Sequence, residues 1–400
     1  MTITPTCAPS SPSGSSGAES DPPTAPATAP PGLKGLVVAD TTIGDVRGAE
    51  GFFHYRQYSA VELARTRSFS DVCALMIDGA LPDPAQSHRF AAEMAALREV
   101  PAAVASALPL IATAGGTPLS GLRTALSLTG AALDLPPLWD ADPPTRRAAA
   151  VRLCAVTPTI LAALHRLRQG LRPIPPRPEL SPPADWLHMI TGAEPSPEHV
   201  RAVERYLVAT VDHGFNASTF TARVVASTGA DLAAAVVAAL GAFSGPLHGG
   251  APDRALAALD EIGTPDRIDG WVRDKLAAGE RIMGFGHAVY TTEDPRSRLL
   301  RDTARELGGE LVEFACAVEE RVVALLAEAK PDRPRYANVE FYAGVVMEIC
   351  GIPRDMFTPT FAVSRVVGWA ANVLEQATER RIIRPAAHYV GPPAPQPVPV

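Results

Sequence analysis

The chain predicts a mainly α fold, entered through a short N-terminal β-hairpin. Apolar residues recur at helical spacing along most of its length, capping residues stand where those stripes begin, and strand signals are confined to the region before residue 60. With 400 residues, of which 46% are apolar, the chain is long enough for one large core or two domains. The hairpin is expected from "GLVVADTTIG" near residue 35 and "FFHYR" near residue 52. In "SFSDVCALMIDGALP" Phe69, Val72, Cys73 and Met76 share a helix face, with Ser68 as cap and Gly79 then Pro82 as the stop. A proline-rich connection, "LRPIPPRPELSPP", follows near residue 175. The next helix opens with Ser196 at the cap and Pro197 in the first turn, and carries Val200, Val203, Leu207 and Val211. "ADLAAAVVAALGAF" is apolar all round but too short to span a bilayer, so it reads as a buried or interface helix. "TPTFAVSRVVGWAANVLEQ" opens at Thr358 and Pro359 and is apolar nearly throughout.

Composition excludes several function classes. A net charge of −7 with 20% charged residues argues against a general nucleic-acid binder, which would need a basic face. No segment reads as a membrane span. Cys7, Cys73, Cys154, Cys316 and Cys350 are odd in number and lack C-x-x-C spacing, which argues against a disulfide framework or a metal site and for a reducing cytoplasm. Residues 1–31 hold no Lys, Arg or aromatic residue and only two acidic ones. They read as a disordered tail without the features of a signal or transit peptide. The C-terminal "GPPAPQPVPV" reads as a loose extended end.

Polar groups stand out where the apolar pattern leaves no place for them. His248 sits among small residues in "SGPLHGGA". His287 follows Gly284, Phe285 and Gly286 in "IMGFGHAVYTTEDPRSR", a glycine loop able to offer backbone N–H groups to phosphates or an adenine, though not a G-x-G-x-x-G fingerprint. Glu340 lies within the apolar "ANVEFYAGVV", where an unpaired carboxylate costs several kcal/mol. Arg365 interrupts "FAVSRVVGW" and needs an anion, because arginine does not shed its proton. Arg296 follows Asp294 and Pro295 in a loop, and Arg384 lies in "RIIRPAAHY". Taken singly, each imidazole is more often a satisfied core histidine than a catalytic one, and Glu340 is equally the partner of an arginine. Together, three arginines, two histidines and a carboxylate suit a small di- or tricarboxylate and acid–base chemistry at carbon.

The ordered set "DHGFNASTFTARVVAST", "GPLHGGA", "MGFGHAVY" with "EDPR", "NVEFYAG", "SRVVGW" with "EQ", and "RP" with "YVG" resembles the citrate synthase family, in its short, dimeric bacterial form. The match runs from Gly32 to Gly391. The resemblance implies a two-domain helical fold in which residues 32–249 and 352–400 form a large domain and residues 250–351 an inserted small one. It implies acyl transfer from acetyl-CoA to oxaloacetate, then thioester hydrolysis to citrate and CoA. Acetyl-CoA is then a cosubstrate, with no permanently bound cofactor and no metal. By motif, Glu340 takes the base position, His248 that of the enol stabiliser, and His287 that of the group polarising the ketone. His213, Arg296, Arg365 and Arg384 take the oxaloacetate-binding positions, with Arg384 reaching the partner's site in a homodimer. Gly284, Phe285 and Gly286 take the CoA-binding loop. Two positions depart from the pattern: the usual base is aspartate, in "NVDFY", and Thr291 stands where a basic residue usually meets the CoA phosphates. Two further readings follow, a 2-methylcitrate synthase using propionyl-CoA and a weakly catalytic oxaloacetate or citrate binder.

Overall fold

In a computed structural model, residues 28–246, 248 and 252–399 are described, so most of the expected N-terminal tail lies outside the described residues. Residues Thr41–Ile383 form one compact unit, and the segments up to Asp40 and from Arg384 form another. Among its described residues the terminal unit has a 3-10 turn at Pro31–Leu33, and the described part of its C-terminal proline-rich end is exposed and without regular structure, as its composition predicts.

The hairpin exists but begins later than the sequence suggests. Strands β1 (Gly44–Arg47) and β2 (Phe52–Tyr55) pair antiparallel with Arg47 opposite Phe52, and β3 (Tyr58–Ser59) adds to β2. A short connection sets that register, so GDVR, not the apolar "GLVV", faces "FFHY". Val37 is instead 83% exposed. Arg56, at φ 49°, turns the chain from β2 into β3. Its guanidinium donates to Thr42 Oγ1 at 2.8 Å and to the Met76 carbonyl at 2.8 Å.

The expected helices stand where their caps put them. Ser68 caps Phe69–Asp78 in a full capping box with Asp71, and Gly79 ends it in the left-handed region. Ser196 caps Pro197–Ala209, and Val211, expected on this helix, lies just beyond its end at Thr210. The last helix runs Phe357–Glu379, one residue earlier than Thr358, after a 3-10 turn at Arg354–Met356. Helix Pro143–Arg168 is long and apolar enough to cross a membrane, but 78% of its apolar window is buried within the protein, where it serves as a core helix. It packs on the Phe357–Glu379 helix.

Two features of the last helix position functional groups. Arg223 is fully buried, and its guanidinium donates to Gln376 at 3.0 Å and Glu375 at 2.5 Å, while Glu375 also accepts from Thr41 and Thr42 at 2.7 Å. That network ties the helix to the start of the hairpin. Gly368 permits the other contact, since a Cβ there would lie 2.1 Å from the Val211 carbonyl oxygen. The helix therefore lies directly against the Val211–His213 segment, and Arg365, one turn earlier, arrives beside His213.

Candidate active site

A cavity of about 530 Å³ is lined by His213, His248, His287, Arg296, Glu340 and Arg365, together with Asp45 and Val46 of the hairpin and several loop residues. Six residues singled out in the sequence thus converge from five separate stretches of chain. Arg384 belongs to the terminal unit and is exposed. Gly284 and Phe285 line an adjoining cavity of about 550 Å³, which shares Gly286, His287, Asn338 and Glu340 with the first.

The segment around Asp212 holds the first histidine. Arg365 Nε donates to the Thr210 carbonyl at 3.1 Å, leaving the two terminal nitrogens of its guanidinium for another partner. Among the described residues no carboxylate lies within 4.0 Å of that guanidinium, although it is 97% buried. The nearest negative influence is Asp212, whose carboxyl burial pushes up to about 6 and Arg365 pulls back down. His213 Nε2 meets the Tyr290 hydroxyl at 2.9 Å. Burial, then Arg296, His287 and Arg365, hold His213 well below the usual imidazole range.

His248 is held in one tautomer. Its Nε2 accepts from the backbone N–H of Ser218 at 3.2 Å and lies 2.8 Å from Ser218 Oγ. A backbone N–H can only donate, so Nε2 carries no proton and the ring's N–H is at Nδ1. Ser218 is itself fixed: its one hydroxyl proton is shared between Nε2 and Asn216 Oδ1, each 2.8 Å away, and its oxygen accepts from the Trp369 indole at 3.0 Å. Burial, and then the Arg365 charge, lower the His248 pKa to about 4. The ring is therefore a neutral hydrogen-bond donor at neutral pH.

His287 is oriented by the loop that carries it. Its Nδ1 accepts from the N–H groups of Val289 and Tyr290, both at 3.0 Å, which places the proton on Nε2. That nitrogen lies 3.2 Å from Arg296 Nη2, which is also a donor. Two donors side by side define a place for an oxygen acceptor. Burial and Arg296 lower the His287 pKa to about 4, with Asp294 opposing.

Arg296 stands in the first turn of helix Pro295–Leu307, not in a loop, because Asp294 caps that helix ahead of Pro295. The same Asp294, 99% buried, holds the Arg296 side chain at 2.8 Å and accepts from Val339 N–H at 3.2 Å. It thereby links the arginine to the start of the Val339–Ile349 helix, where Glu340 sits in the first turn.

Glu340 and His287 flank one short backbone bridge. Gly286 N–H donates to Tyr336 O and Asn338 N–H to Gly284 O, both at 2.8 Å, and Asn338 Nδ2 donates to Gly286 O at 3.0 Å. Gly284 and Gly286 have φ of +84° and +87°, which favour glycine and permit this pairing. Asn338 then caps the Glu340 helix, its Oδ1 accepting from the Glu340 N–H at 3.0 Å. Asn216, Ser218, Tyr290, Asp294, Asn338 and Trp369 were not singled out from the sequence. Asp294-Pro295 did carry a helix-start signature, whereas Ser218 and Trp369 meet only through tertiary packing.

Comparison with known proteins places this geometry in context. The sequence profile described as "Citrate synthase, C-terminal domain" matches residues 32–386. A citrate synthase of Deinococcus radiodurans is 37% identical over 361 residues, covering 90% of this chain and 95% of that one. The crystal structure of citrate synthase from Pyrobaculum aerophilum superposes with a TM-score of 0.84 at 36% identity, over 92% of this chain and 94% of that one. The citrate synthase of Thermoplasma acidophilum, in ternary complex with carboxymethyl coenzyme A and oxaloacetate, superposes with a TM-score of 0.84 at 28% identity, over 92% and 98%.

Proposed function

The chain belongs to the citrate synthase family, and from that premise we propose that its site condenses acetyl-CoA with oxaloacetate and hydrolyses the thioester formed, giving citrate and CoA. The observation that carries the reading is the convergence on one cavity of a neutral N–H donor at His248, a carboxylate at Glu340 and the paired donors of His287 and Arg296.

Each step then has a residue. Glu340 takes a proton from the acetyl methyl group while His248 Nδ1–H donates to the thioester oxygen on which negative charge develops. The resulting carbon nucleophile attacks the ketone carbon of oxaloacetate. His287 Nε2–H polarises the ketone oxygen and gives it the proton as the new carbon–carbon bond forms. Water then cleaves the thioester and CoA leaves as the thiol. Arg365, whose guanidinium has no carboxylate within 4.0 Å among the described residues, and Arg296 bind the oxaloacetate carboxylates beside His213. No permanently bound cofactor enters the scheme.

The wider organisation belongs to the same proposal. Residues 32–249 and 352–400 act as the large domain and 250–351 as the small one, which closes on oxaloacetate before acetyl-CoA binds. The enzyme works in the cytoplasm as a homodimer, with Arg384 completing the partner's site. Half-buried Ala234, Val237, Ala238 and Gly241 on helix Leu232–Phe243 give an apolar face suited to that pairing.

The test is release of free CoA thiol from the purified protein with oxaloacetate and either acetyl-CoA or propionyl-CoA, beside Glu340→Gln. Turnover with acetyl-CoA that is lost in the variant supports the reading. Preference for propionyl-CoA renames the enzyme a 2-methylcitrate synthase, and oxaloacetate binding without thiol release makes it a binder.

A further inference from the structure

Resting on that proposed function, we infer that Gly48, in the turn between β1 and β2, is a positioning residue for the step that polarises the ketone. With no side chain of its own, it seats the loop whose N–H groups orient His287. Residues 287–292 form no helix or strand. Apart from bonds to His287, the hydrogen bonds that tie down residues 288–292, among the described residues, end at Gly48 and His213. Gly48 O accepts from the Thr291 N–H and the Thr292 hydroxyl, both at 3.3 Å, and the Tyr290 hydroxyl meets His213 Nε2 at 2.9 Å. The Thr291 bond is a main-chain one, so it does not depend on the side chain at a position that departs from the family pattern. The two N–H groups that fix His287, those of Val289 and Tyr290, stand immediately before this anchored pair.

The turn and the loop approach each other closely. A Cβ on Gly48 would lie 2.1 Å from the Val289 carbonyl oxygen and 2.8 Å from its carbon, and one on Gly51 would lie 3.0 Å from Thr292 Oγ1. The Gly48 backbone is not left-handed, so the nearness of Val289, not conformation, excludes a side chain there. The strands of the hairpin are anchored on the other histidine segment. The Tyr55 hydroxyl donates to Val208 O at 2.9 Å and accepts from the Asp212 N–H at 3.4 Å. Phe53 packs on the His213 ring with centroids 5.6 Å apart, and Val46 Cγ2 lies 3.2 Å from the position of a Cβ on Gly214. The hairpin is thus a bracket. Its strands bear on the segment that carries His213, its turn bears on the loop that carries His287, and the two rings stand 5.5 Å apart between them. Gly48 and most of the loop lie at the surface, so a shift there costs little core packing. His287 Nε2, by contrast, must stay beside Arg296 Nη2, 3.2 Å away, for the two to share one acceptor.

The experiment compares wild type with Gly48→Ala, Thr292→Val and Thr292→Ser. Opening the gap to Val289 from 2.1 Å to the 3.0 Å that a Cβ needs shifts the loop by about 1 Å, a displacement that costs roughly 100-fold in rate. In Gly48→Ala kcat should fall by that factor while the KM for acetyl-CoA stays unchanged. Thr292→Val loses one bond to Gly48 and should lower kcat a few-fold, and Thr292→Ser, which keeps the hydroxyl, should match wild type. A second readout needs no activity: titration of the histidine ring protons by NMR. In Gly48→Ala the His287 midpoint should rise from about 4 toward 6.5 as the ring gains water, by about one pH unit or more, while the His248 midpoint stays near 4. A wild-type kcat in Gly48→Ala, an unmoved His287 midpoint, or an equal rise at His248 overturns the assignment. If Gly48→Ala does not fold, the threonine pair decides: a fall in Thr292→Val that Thr292→Ser does not share supports the seat, and no fall overturns it. A wild-type protein without thiol release refutes the activity reading, and the His287 titration alone then decides this inference.

Discussion

Shortening the base by one methylene should cost this protein most of its rate, even though Glu340→Asp installs the residue usual in the family. The start of the Glu340 helix is pinned. Asn338 N–H is bonded to Gly284 O at 2.8 Å, Asn338 Nδ2 to Gly286 O at 3.0 Å, Val339 N–H to Asp294 at 3.2 Å and Glu340 N–H to Asn338 Oδ1 at 3.0 Å. The backbone has no freedom to advance without breaking that set. Aspartate therefore leaves the carboxylate short by about 1.5 Å, the length of one carbon–carbon bond. A misplacement of about 1 Å costs roughly 100-fold, so kcat should fall by at least that factor, or about 2.7 kcal/mol. The assay is thiol release at saturating oxaloacetate, with the thermal midpoint as a control for folding. The oxaloacetate KM should not move. A Glu340→Asp variant as fast as wild type refutes the reasoning, because it would mean that the pinned backbone does not set the position of the base.

Other expectations follow from the same geometry. Arg365→Leu removes a buried guanidinium aimed at the substrate and should raise the oxaloacetate KM by about 100-fold or more; unchanged kinetics would remove Arg365 from the site. Gly368→Ala drives a Cβ to 2.1 Å from the Val211 carbonyl and should destabilise the protein by about 1–3 kcal/mol, read as a lower midpoint in urea; an unchanged midpoint would show that the helix yields. In the folded protein His248 and His287 should titrate near pH 4, by the NMR shifts of their ring protons, and a midpoint near 6.5 would contradict their burial. Because these folded values lie below the unfolded one, the two rings contribute stability that is complete above about pH 6.5 and lost as pH falls toward about 4. Asp212, pushed up to about 6, opposes them over the same interval. Trp369→Phe keeps the ring but removes the donor to Ser218 and should lower kcat a few-fold with the oxaloacetate KM unchanged; a change in that KM alone would place its role elsewhere.

The sequence carried the helices well because their signals are local. Ser68, Gly79, Ser196 and Pro197 announce ends that need only their own neighbours. It misplaced the first strand because β pairing depends on what lies opposite, and "GLVV" has the composition of a strand but no strand partner among the described residues. The charged and polar residues of the site were visible as exceptions to an apolar pattern: Arg365 and Glu340 sit where a packed helix offers no reason for them. What orients them was not visible. The Ser218 contact that fixes the His248 tautomer joins residues thirty apart, and the Asp294 contact to Val339 joins residues forty-five apart. Neither leaves a trace in spacing.

The site also shows why its histidines must be neutral. Arg296 and Arg365 already place two fixed cations at a cavity lined also by Glu340 and Asp45; behind it, Asp294 is hydrogen-bonded to Arg296, and Asp212 is displaced toward its protonated form by burial. Burial first, and then the arginine charges, lower the pKa values of His213, His248 and His287, so three imidazolium rings are excluded from that set. The same field works in favour of a dianion. A dicarboxylate gives the idle Arg365 nitrogens and the facing donors of His287 and Arg296 the acceptors that the protein itself withholds. In the proposed scheme its binding relieves donor–donor contacts as well as filling space, which an apolar ligand of equal size would not do. A neutral His248 gains from the proposed order of binding. With the dianion seated first, the arginine charges are compensated, and the weakly acidic methyl group meets Glu340 in a site where the remaining electrostatic asymmetry favours charge on the thioester oxygen.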